Sequence, residues 1–484
     1  MSPKTSASAH KETAPPKPPK SPKSSSEQPT PPKAMSARTR QRRTAAASVV
    51  GSILEWYDFF LFGASAALVF NKVFFPDVSP LAATLASFAT FGLGFAVRPI
   101  GGLVLAHLGD RIGRRPVLIL TVILMGAGTL AIGFLPTYHQ IGIWAPVLLV
   151  VCRMLQGFGV GAELGGAYVM STEAAQAEKR GLYGSLPGAG EFIGVVIASG
   201  AVAAVSTLPE DDFLGWGWRI PFLASAVVVI IALLIRNAAP ETEQFEATRD
   251  SGKREKLPVL AAIKERPKAI ALLIGSGCAT AIASYAIQGY LPSYLTNQLG
   301  LSSGTSVLGI TIASAVSILT IPLAGALSDR IGRKPVMIGG AVAIMLFAYP
   351  FFWLVDTREP WLIYLAITIA FALMLNSIFA VAGTFYAESL PTEVRYSGLV
   401  FVREINGVVF AGTSPFVATL LVDAGGDRPW YLAGYMAAAG LASAVCTWLL
   451  PETAPARAEQ NPAESVQAGD RPGISDARDG GTRR

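Results

Sequence analysis

The sequence predicts an all-α integral membrane protein, in which twelve transmembrane helices form two parallel six-helix halves. Composition is the first observation: 51% of the 484 residues are hydrophobic and only 15% are charged, whereas soluble domains carry about 25% charged residues. The charges also cluster, which leaves many windows of about 20 apolar residues, the length that crosses a bilayer. A soluble helical protein is disfavoured because its buried helices rarely stay uncharged for so long.

An internal repeat is the second observation, and it predicts the two halves. The segment DRIGRR begins at Asp110, and DRIGRK begins at Asp329. Further along the chain from each segment, a glutamate stands seven positions before an arginine. Parallel halves related by an axis along the membrane normal are a known transporter plan, with the substrate site between the halves near mid-membrane. The glutamate and arginine pairs are Glu173 with Arg180 and Glu388 with Arg395.

The elements follow in chain order. Residues 1–43, rich in Pro, Lys, Ser and Thr, predict a disordered basic cytoplasmic tail. An N-terminal bundle at 44–237 and a C-terminal bundle at 268–450 flank a cytoplasmic central loop at 238–267, and a disordered tail is expected at 451–484. The predicted spans are approximately 46–70, 82–107, 116–136, 143–170, 182–205, 218–237, 268–294, 304–327, 336–355, 361–386, 398–422 and 429–450.

The distribution of Lys and Arg predicts the orientation in the plasma membrane. Basic loops are expected in the cytoplasm, and all of them fall on the side of the chain that also carries both termini. Because these cations mark the ends of apolar segments, contact with lipid is expected, and nucleic-acid binding is not. The basic segments are the tail, 109–115, 178–180, 253–268, 329–334 and Arg395.

The repeated loops predict a gate at the cytoplasmic face. Asp110 or Asp329 can accept hydrogen bonds from a helix N-terminus or an arginine, and the arginines can pair with acids such as Glu173 or with lipid phosphate. The alternative is that the arginines only set the membrane topology. A role in topology alone would require neither the Asp and Gly of the motif nor a second copy of the motif. The predicted gating residues are Asp110, Arg111, Gly113, Arg114, Asp329, Arg330, Gly332, Arg333, Glu173, Arg180, Glu388 and Arg395.

Several further motifs resemble one family. GSILEWYDFFLFG begins at Gly51, GLGFAVRPIGG at Gly92 and RMLQGFGVGAELGGA at Arg153. With WGWRIPFL and PTEVRYSG, they resemble the metabolite:proton symporter family of the major facilitator superfamily over about residues 46–453, most of all its shikimate-permease-like branch. The chain departs from the superfamily pattern at Ala106, where Gly is usual, and in the polar residues of the eleventh span.

The resemblance implies a proton-coupled secondary active transporter that imports a small organic acid, such as shikimate or a related carboxylate, by alternating access. An osmolyte symporter for proline or betaine and a proton-antiport efflux transporter remain alternatives. No enzyme is expected, because the chain has no G-x4-G-K-[ST] or H-E-x-x-H motif and only three histidines. We expect a monomer with no cofactor, no catalytic residue and no metal site.

Four carboxylates in the apolar spans are candidates for proton coupling. A charge at mid-bilayer is costly, so it usually faces a cavity or a partner. A carboxylate that alternates between a desolvated setting and a cation can load and release a proton. A structural hydrogen bond between helices is the alternative. The candidates are Asp58 first, Glu55 three residues before it on the same face, and then Glu163 and Glu191.

Polar residues of both halves are candidates for substrate binding. Arginine offers a fork that matches a carboxylate, although Arg153 can instead serve coupling and Arg403 can instead lie near the surface. The run SYAIQGYLPSY, from Ser284, interleaves aromatics with polar groups, and its outer part can alternatively belong to an interfacial aromatic belt. The candidates are Arg153, Tyr285, Gln288, Tyr290, Asn376 and Arg403.

Overall fold

The computed structural model describes residues 37–77, 80–161, 163–238, 263–264, 266–391 and 394–454. These residues form helices and turns, with no strand among them. The predictions for residues 1–36, for most of the central loop and for residues 455–484 lie outside the described residues.

Twelve described helices are long and apolar enough to cross a membrane, which confirms the predicted fold class. The first six belong to the first half and the last six to the second. Their bounds are Ala37–Ser65 (α1), Pro80–Ile112 (α2), Arg114–Phe134 (α3), Trp144–Val160 with Glu163–Ala174 (α4), Arg180–Val205 (α5), Arg219–Ala238 (α6), Pro267–Tyr285 with Leu291–Asn297 (α7), Ser303–Ile331 (α8), Arg333–Asp356 (α9), Pro360–Ile369 with Asn376–Ser389 (α10), Arg395–Asn406 with Ser414–Ala424 (α11) and Trp430–Leu449 (α12).

The structure differs in two places from the predicted boundaries. Helix α1 begins at Ala37, before the predicted bundle start at residue 44, although its candidate membrane span begins at Thr44. The segment after α12 does not leave the body at residue 451, because Ala454 is buried with an exposed fraction of 1%. Glu452 explains the second difference: its carboxylate accepts hydrogen bonds from the backbone amides of Arg333 and Lys334. These amides belong to the first turn of α9, which has no intrahelical partners for them.

The glycine of each repeated loop reverses the chain between two helices. Gly113 has φ 110° between α2 and α3, and Gly332 has φ 104° between α8 and α9. Residues with a side chain rarely adopt this backbone conformation. The fixed offset of the glycine in both copies of the motif therefore has a local structural cause.

The two halves meet along helices that cross closely. Helix α5 packs against α1 of its own half and against α8 and α10 of the other half, and α2 packs against α11. We call the end of the bundle formed by residues 109–115 and 329–334 the basic-loop side. At this side a Cβ on Gly181 would lie 2.4 Å from the carbonyl oxygen of Gly325. The backbones of α5 and α8 are therefore in direct contact, as small residues allow.

Candidate functional site

A cavity of about 170 Å³ lies between the two halves. Helices α1, α2 and α5 line it from the first half, and α7, α10 and α11 line it from the second. The second-half helices carry π-helical turns beside the cavity, at Ala286–Tyr290, Ala370–Leu375 and Gly407–Ala411. Such turns are frequent at functional sites because they redirect side chains. The charged residues that line the cavity are Glu55, Arg98, Glu191, Arg403 and Glu404.

Arg98 joins carboxylates from both halves. Its Nη2 donates to Glu55 Oε1 over 3.2 Å, and its Nε lies 3.9 Å from Glu404 Oε2. The exposed fractions of the three side chains are only 17%, 3% and 10%. Sequence reasoning did not select Arg98, because a position near the end of an apolar span fits an arginine that reaches toward the lipid headgroups. Its contact with Glu404 reflects the approach of α2 to α11, which no local pattern reveals.

Glu191 and Arg403 face the same cavity from opposite halves. Glu191 is buried, and its Oε1 has no hydrogen-bond partner among the described residues. The guanidinium carbon of Arg403 lies 5.2 Å from the ring centroid of Tyr168 in α4. This cation–π contact crosses the interface. It leaves edge donors of the guanidinium for an anionic ligand.

Besides Arg403, three predicted substrate contacts of the second half line the cavity. Tyr285, Gln288 and Asn376 are all found there. The ring centroid of Tyr285 lies 6.2 Å from that of Phe95, in an edge-to-face contact between α7 and α2. These side chains place hydroxyl, amide and aromatic groups beside the charged residues.

Tyr290 does not line the cavity, although the sequence predicted a substrate contact there. It lies two residues after Gln288, so the helical turn carries its side chain toward the opposite face. Tyr290 is 4% exposed, and its ring centroid lies 6.3 Å from that of Tyr294. The aromatic run therefore divides between the cavity and the packing of the second half.

Asp58 belongs to a buried cluster beside the cavity. Its Oδ1 accepts hydrogen bonds from Thr129 Oγ1 at 2.5 Å and Gln156 Nε2 at 2.6 Å, and Arg153 Nη1 lies 3.6 Å from its Oδ2. Arg153 also stacks over the ring of Phe62 at 4.4 Å. Arg153 does not line the central cavity, so the structure does not place it at a substrate carboxylate. Its contact with Asp58 favours the coupling alternative.

A smaller pocket connects the Asp58 cluster to the charges of the central cavity. Glu55 and Arg98 line both spaces, whereas Asp58 and Arg153 line only the smaller one. Glu55 and Arg98 are therefore the charged side chains that the surroundings of Asp58 and the central cavity have in common.

Glu163 is buried away from the cavity in an ion pair of its own half. Its carboxylate accepts hydrogen bonds from Arg236 of α6 and Thr121 of α3. Arg236 also donates to the carbonyl oxygen of Leu118 over 2.8 Å. Gly51 of α1 leaves room for the pair, because a Cβ there would collide with both side chains. This geometry favours a structural role for the pair, and a coupling role of Glu163 stays a prediction.

The second repeated loop holds the start of α5 across the interface. Asp329 accepts hydrogen bonds from the backbone amides of Gly181 at 2.8 Å and Leu182 at 2.9 Å. Arg333, which is fully buried, donates to Asp329 at 2.7 Å and to Glu388 at 3.3 Å. A carboxylate at a helix N-terminus is stabilised by the unpaired amides and the helix dipole. The Asp of the motif thus connects the second half to the first, and the Arg holds that Asp within the second half.

The remaining predicted gating residues divide by location. Glu173 pairs with Arg395 of the other half, and the carbonyl oxygen of Arg180 accepts a hydrogen bond from Thr384 over 3.3 Å. Arg111 and Arg330 are exposed. The side chains of Asp110 and Arg114 lie outside the described residues.

Comparisons with known proteins agree with this architecture. The family model described as Major Facilitator Superfamily matches residues 46–401 and 276–481. The chain belongs to this superfamily. It is therefore a multi-pass membrane transporter of small molecules and not an enzyme.

Two curated relatives align with most of this chain. The shikimate transporter of Escherichia coli (strain K12) is 37% identical over 427 residues, covering 87% of this chain and 97% of that protein. The proline/betaine transporter of Salmonella typhimurium (strain LT2) is 36% identical over 417 residues, covering 84% and 83%. The nearly equal identities do not separate an acid from an osmolyte as substrate.

A solved structure shows the same fold. The proton:xylose symporter XylE bound to 6-bromo-6-deoxy-D-glucose superposes with a TM-score of 0.72 at 17% identity, covering 86% of this chain and 97% of that one. At this identity the likeness extends to the helical architecture alone.

Proposed function

We propose that this chain is a proton-coupled symporter that imports a small organic acid, such as shikimate or a related carboxylate, by alternating access. The observation that carries the proposal is the charge of the central cavity, where Arg98 and Arg403 face three carboxylates. With all groups ionised the set is formally negative and repels an anion. Protonation of two carboxylates would leave a net positive site that attracts one. Protons and an anionic substrate would therefore favour each other's binding, which is the coupling that a symporter needs.

The orientation follows from the distribution of basic residues. We assign the basic-loop side and both termini to the cytoplasm of a plasma-membrane protein, because short basic loops are retained there. In this state the contacts of Asp329 and Glu173 hold that side together. A substrate would then enter from the outer side and leave after these contacts break, as one half rocks against the other.

Asp58 is the proposed first site of proton coupling. When it is ionised, Arg153, Thr129 and Gln156 all stabilise the negative charge. When it is protonated, the attraction to Arg153 is lost, and the guanidinium becomes available to the neighbouring acid Glu55 across the smaller pocket. A proton on Asp58 would in this way change the charge balance at Arg98 and in the cavity.

A zwitterionic osmolyte is the second candidate, and the aromatic lining of the cavity favours it. Trp56, Phe95, Tyr285, Phe371 and Tyr386 surround the cavity, and aromatic rings bind quaternary ammonium groups by cation–π interaction. The named substrate of the Salmonella relative is consistent with this candidate.

Uptake into proteoliposomes tests the proposal. An inward proton gradient would be imposed, and labelled shikimate, quinate, α-ketoglutarate, citrate and betaine would be offered to the wild type, Asp58→Asn and Asp427→Asn. Asp427 is a matched control, since it is exposed and its φ of 61° is one that asparagine also adopts. We expect accumulation of an acid by the wild type and by the control variant but not by Asp58→Asn.

Two other outcomes revise the proposal. Undiminished accumulation by Asp58→Asn would move the coupling site elsewhere. Uptake of betaine without uptake of any acid would establish the osmolyte function in place of the acid.

A further inference from the structure

We infer that the second half holds a subsite of neutral hydrogen-bond acceptors, formed by Asn376, Asn406 and Thr280, that binds hydroxyl groups of the substrate. The inference rests on the proposed function and narrows it, because it specifies a carboxylic acid that carries two or more hydroxyl groups. The three residues come from α10, α11 and α7, and all of them line the central cavity.

The amide orientation of Asn406 is fixed by its surroundings. Its Nδ2 donates to the carbonyl oxygen of Ile274 over 2.7 Å. A carbonyl only accepts, so the nitrogen must face Ile274. The Oδ1 atom is left without a partner among the described residues, although the residue is only 9% exposed. Asn406 therefore offers a buried acceptor.

Asn376 is fixed in the same way from another helix. Its Nδ2 donates to Ser317 Oγ at 2.9 Å and to Thr320 Oγ1 at 2.8 Å. Ser317 uses its own hydrogen on the carbonyl oxygen of Ala313 at 2.7 Å, so it can only accept from Asn376. The Oδ1 of Asn376 has no partner among the described residues, and the residue is fully buried.

Thr280 adds a group that can donate or accept. Its Oγ1 has no hydrogen-bond partner in the described part of the chain, and the residue is 9% exposed. Many threonines in helices bond to a carbonyl of the preceding turn, as Thr447 does here. The free hydroxyl of Thr280 is thus available to a ligand.

Buried acceptors of this kind are rare unless something pairs with them, because an unpaired polar group loses its hydration without compensation. A hydroxyl group supplies the missing hydrogen. Arg403 lies three residues before Asn406 on α11, hence on the same face of the helix. A ligand whose carboxylate reaches Arg403 would place its hydroxyl groups near the amide oxygens.

The same chemistry discriminates between shikimate and betaine. Betaine has a carboxylate and a quaternary ammonium but no hydrogen to donate, so it would leave both amide oxygens unpaired. Shikimate has a carboxylate and three hydroxyl groups on one ring. A site built to hydrogen-bond a hydroxyl rejects an analogue that lacks it far more strongly than an apolar pocket rejects a missing methylene.

Equilibrium binding to the purified full-length protein tests the subsite. The two ligands are shikimate and cyclohex-1-ene-1-carboxylate, which has the same ring and carboxylate without hydroxyl groups. We expect the wild type to prefer shikimate by about 100-fold, which is about tenfold for each of the two amide oxygens. Asn376→Leu and Asn406→Leu should each weaken shikimate binding about tenfold and leave binding of the hydroxyl-free acid within about twofold. Retained binding of that acid also shows that the variants fold.

Ser377→Ala is the matched control. Ser377 is the neighbour of Asn376, is not among the cavity-lining residues, and donates its hydroxyl to Leu373 of its own helix at 2.6 Å. The Ser377→Ala variant should bind both acids with the affinity of the wild type.

The alternatives are separable. Equal affinity of the wild type for both acids would overturn the subsite and leave the proposed acid transporter intact. Binding of betaine without binding of either acid would overturn the proposed function and the subsite together. Equal losses for both acids in the Asn variants would show that these residues shape the cavity rather than recognise hydroxyl groups.

Discussion

Glu173 and Arg395 join the two halves of the protein at the basic-loop side, with 3.1 Å between carboxylate and guanidinium. Each belongs to one copy of the E-x6-R motif, so the copies pair with each other across the interface. The exposed fractions of the two side chains are 1% and 16%, so solvent and salt screen the interaction little. Separation of the two halves at this side would break the pair.

Removal of this ion pair should open the basic-loop side. Glu173→Gln removes the negative charge beside the partly buried Arg395, and the loss of one member of such an ion pair costs about 2 kcal/mol, or roughly thirtyfold in the open-to-closed ratio. Distances between spin labels at Lys179→Cys and Arg330→Cys, two exposed positions on opposite halves, report the change once the three native cysteines are replaced.

Glu178→Gln is the control for this prediction, because Glu178 is exposed on the same connection. The exchanged pair Glu173→Arg with Arg395→Glu should recover part of the closed population. If Glu173→Gln leaves the distance distribution of the wild type unchanged, the pair does not hold the gate.

Closure of the same side should also depend on the absence of a side chain at Gly181. A Cβ there would lie 2.4 Å from the carbonyl oxygen of Gly325 and 2.4 Å from Arg333 Nη1. A backbone oxygen cannot move away alone, so Gly181→Ala must separate α5 from α8 and weaken the contacts of Asp329. We expect a larger open population on the same spin-label distances and at least tenfold slower transport, since about 1.4 kcal/mol corresponds to tenfold.

Gly200→Ala is the matched control on the same helix, because a Cβ at Gly200 has nothing within 4 Å. It should behave as the wild type or be slightly more stable, since alanine favours a helix over glycine. Wild-type distances in Gly181→Ala would contradict the close packing of α5 on α8.

The fold was predictable from the sequence because its causes are local. Long uncharged windows give the twelve helices, and the glycines of the repeated loops give the chain reversals, as Gly113 and Gly332 show. The boundary at residue 451 was not predictable, because Glu452 docks on the start of α9, more than a hundred residues earlier in the chain. Composition indicated a polar tail there and could not indicate its partner.

The candidate site was predictable only in part, for a geometric reason. Because a charge in the bilayer costs free energy, Glu55, Glu191 and Arg403 are expected to face a cavity or a partner. The sequence does not tell which of the two each residue has. Glu163 shows the other outcome, since Arg236 neutralises it within one half. Arg98 could not be predicted as a site residue, because its contact with Glu404 depends on the approach of α2 to α11. No spacing in the sequence encodes this contact between distant segments.

Arg153 should control proton coupling rather than substrate recognition. Its guanidinium contacts Asp58 at 3.6 Å and stacks on Phe62 at 4.4 Å, outside the central cavity. A lysine at this position keeps the positive charge, but its ammonium group cannot stack on a ring as a planar guanidinium does or bind two partners at once. We expect Arg153→Lys to leave the Kd of the substrate within about threefold while uphill accumulation falls at least tenfold.

Binding and gradient-driven uptake, measured on the same preparation, check the prediction for Arg153. Substrate counterflow, which needs no proton gradient, should be retained and serves as the control for folding. A large loss of affinity with normal coupling would assign Arg153 to the substrate instead.

The segment after α12 should stabilise the basic-loop side of the second half. Glu452 accepts hydrogen bonds from the amides of Arg333 at 2.9 Å and Lys334 at 3.1 Å, and Thr453 donates to Glu388 at 2.6 Å. Glu452→Gln keeps the size of the side chain and removes the charge that favours a helix N-terminus. We expect a loss of about 1 kcal/mol and a Tm lower by about 2 °C.

Thermal unfolding in detergent measures this effect, with Glu359→Gln as the control. Glu359 also stands at the start of a helix, but it is exposed and its side chain caps no amide, so its substitution should leave the Tm unchanged. Because Glu388 also binds Arg333, Glu452→Gln combined with Arg333→Gln should destabilise less than the sum of the two single variants. Additive effects would mean that the segment after α12 acts independently of the gate.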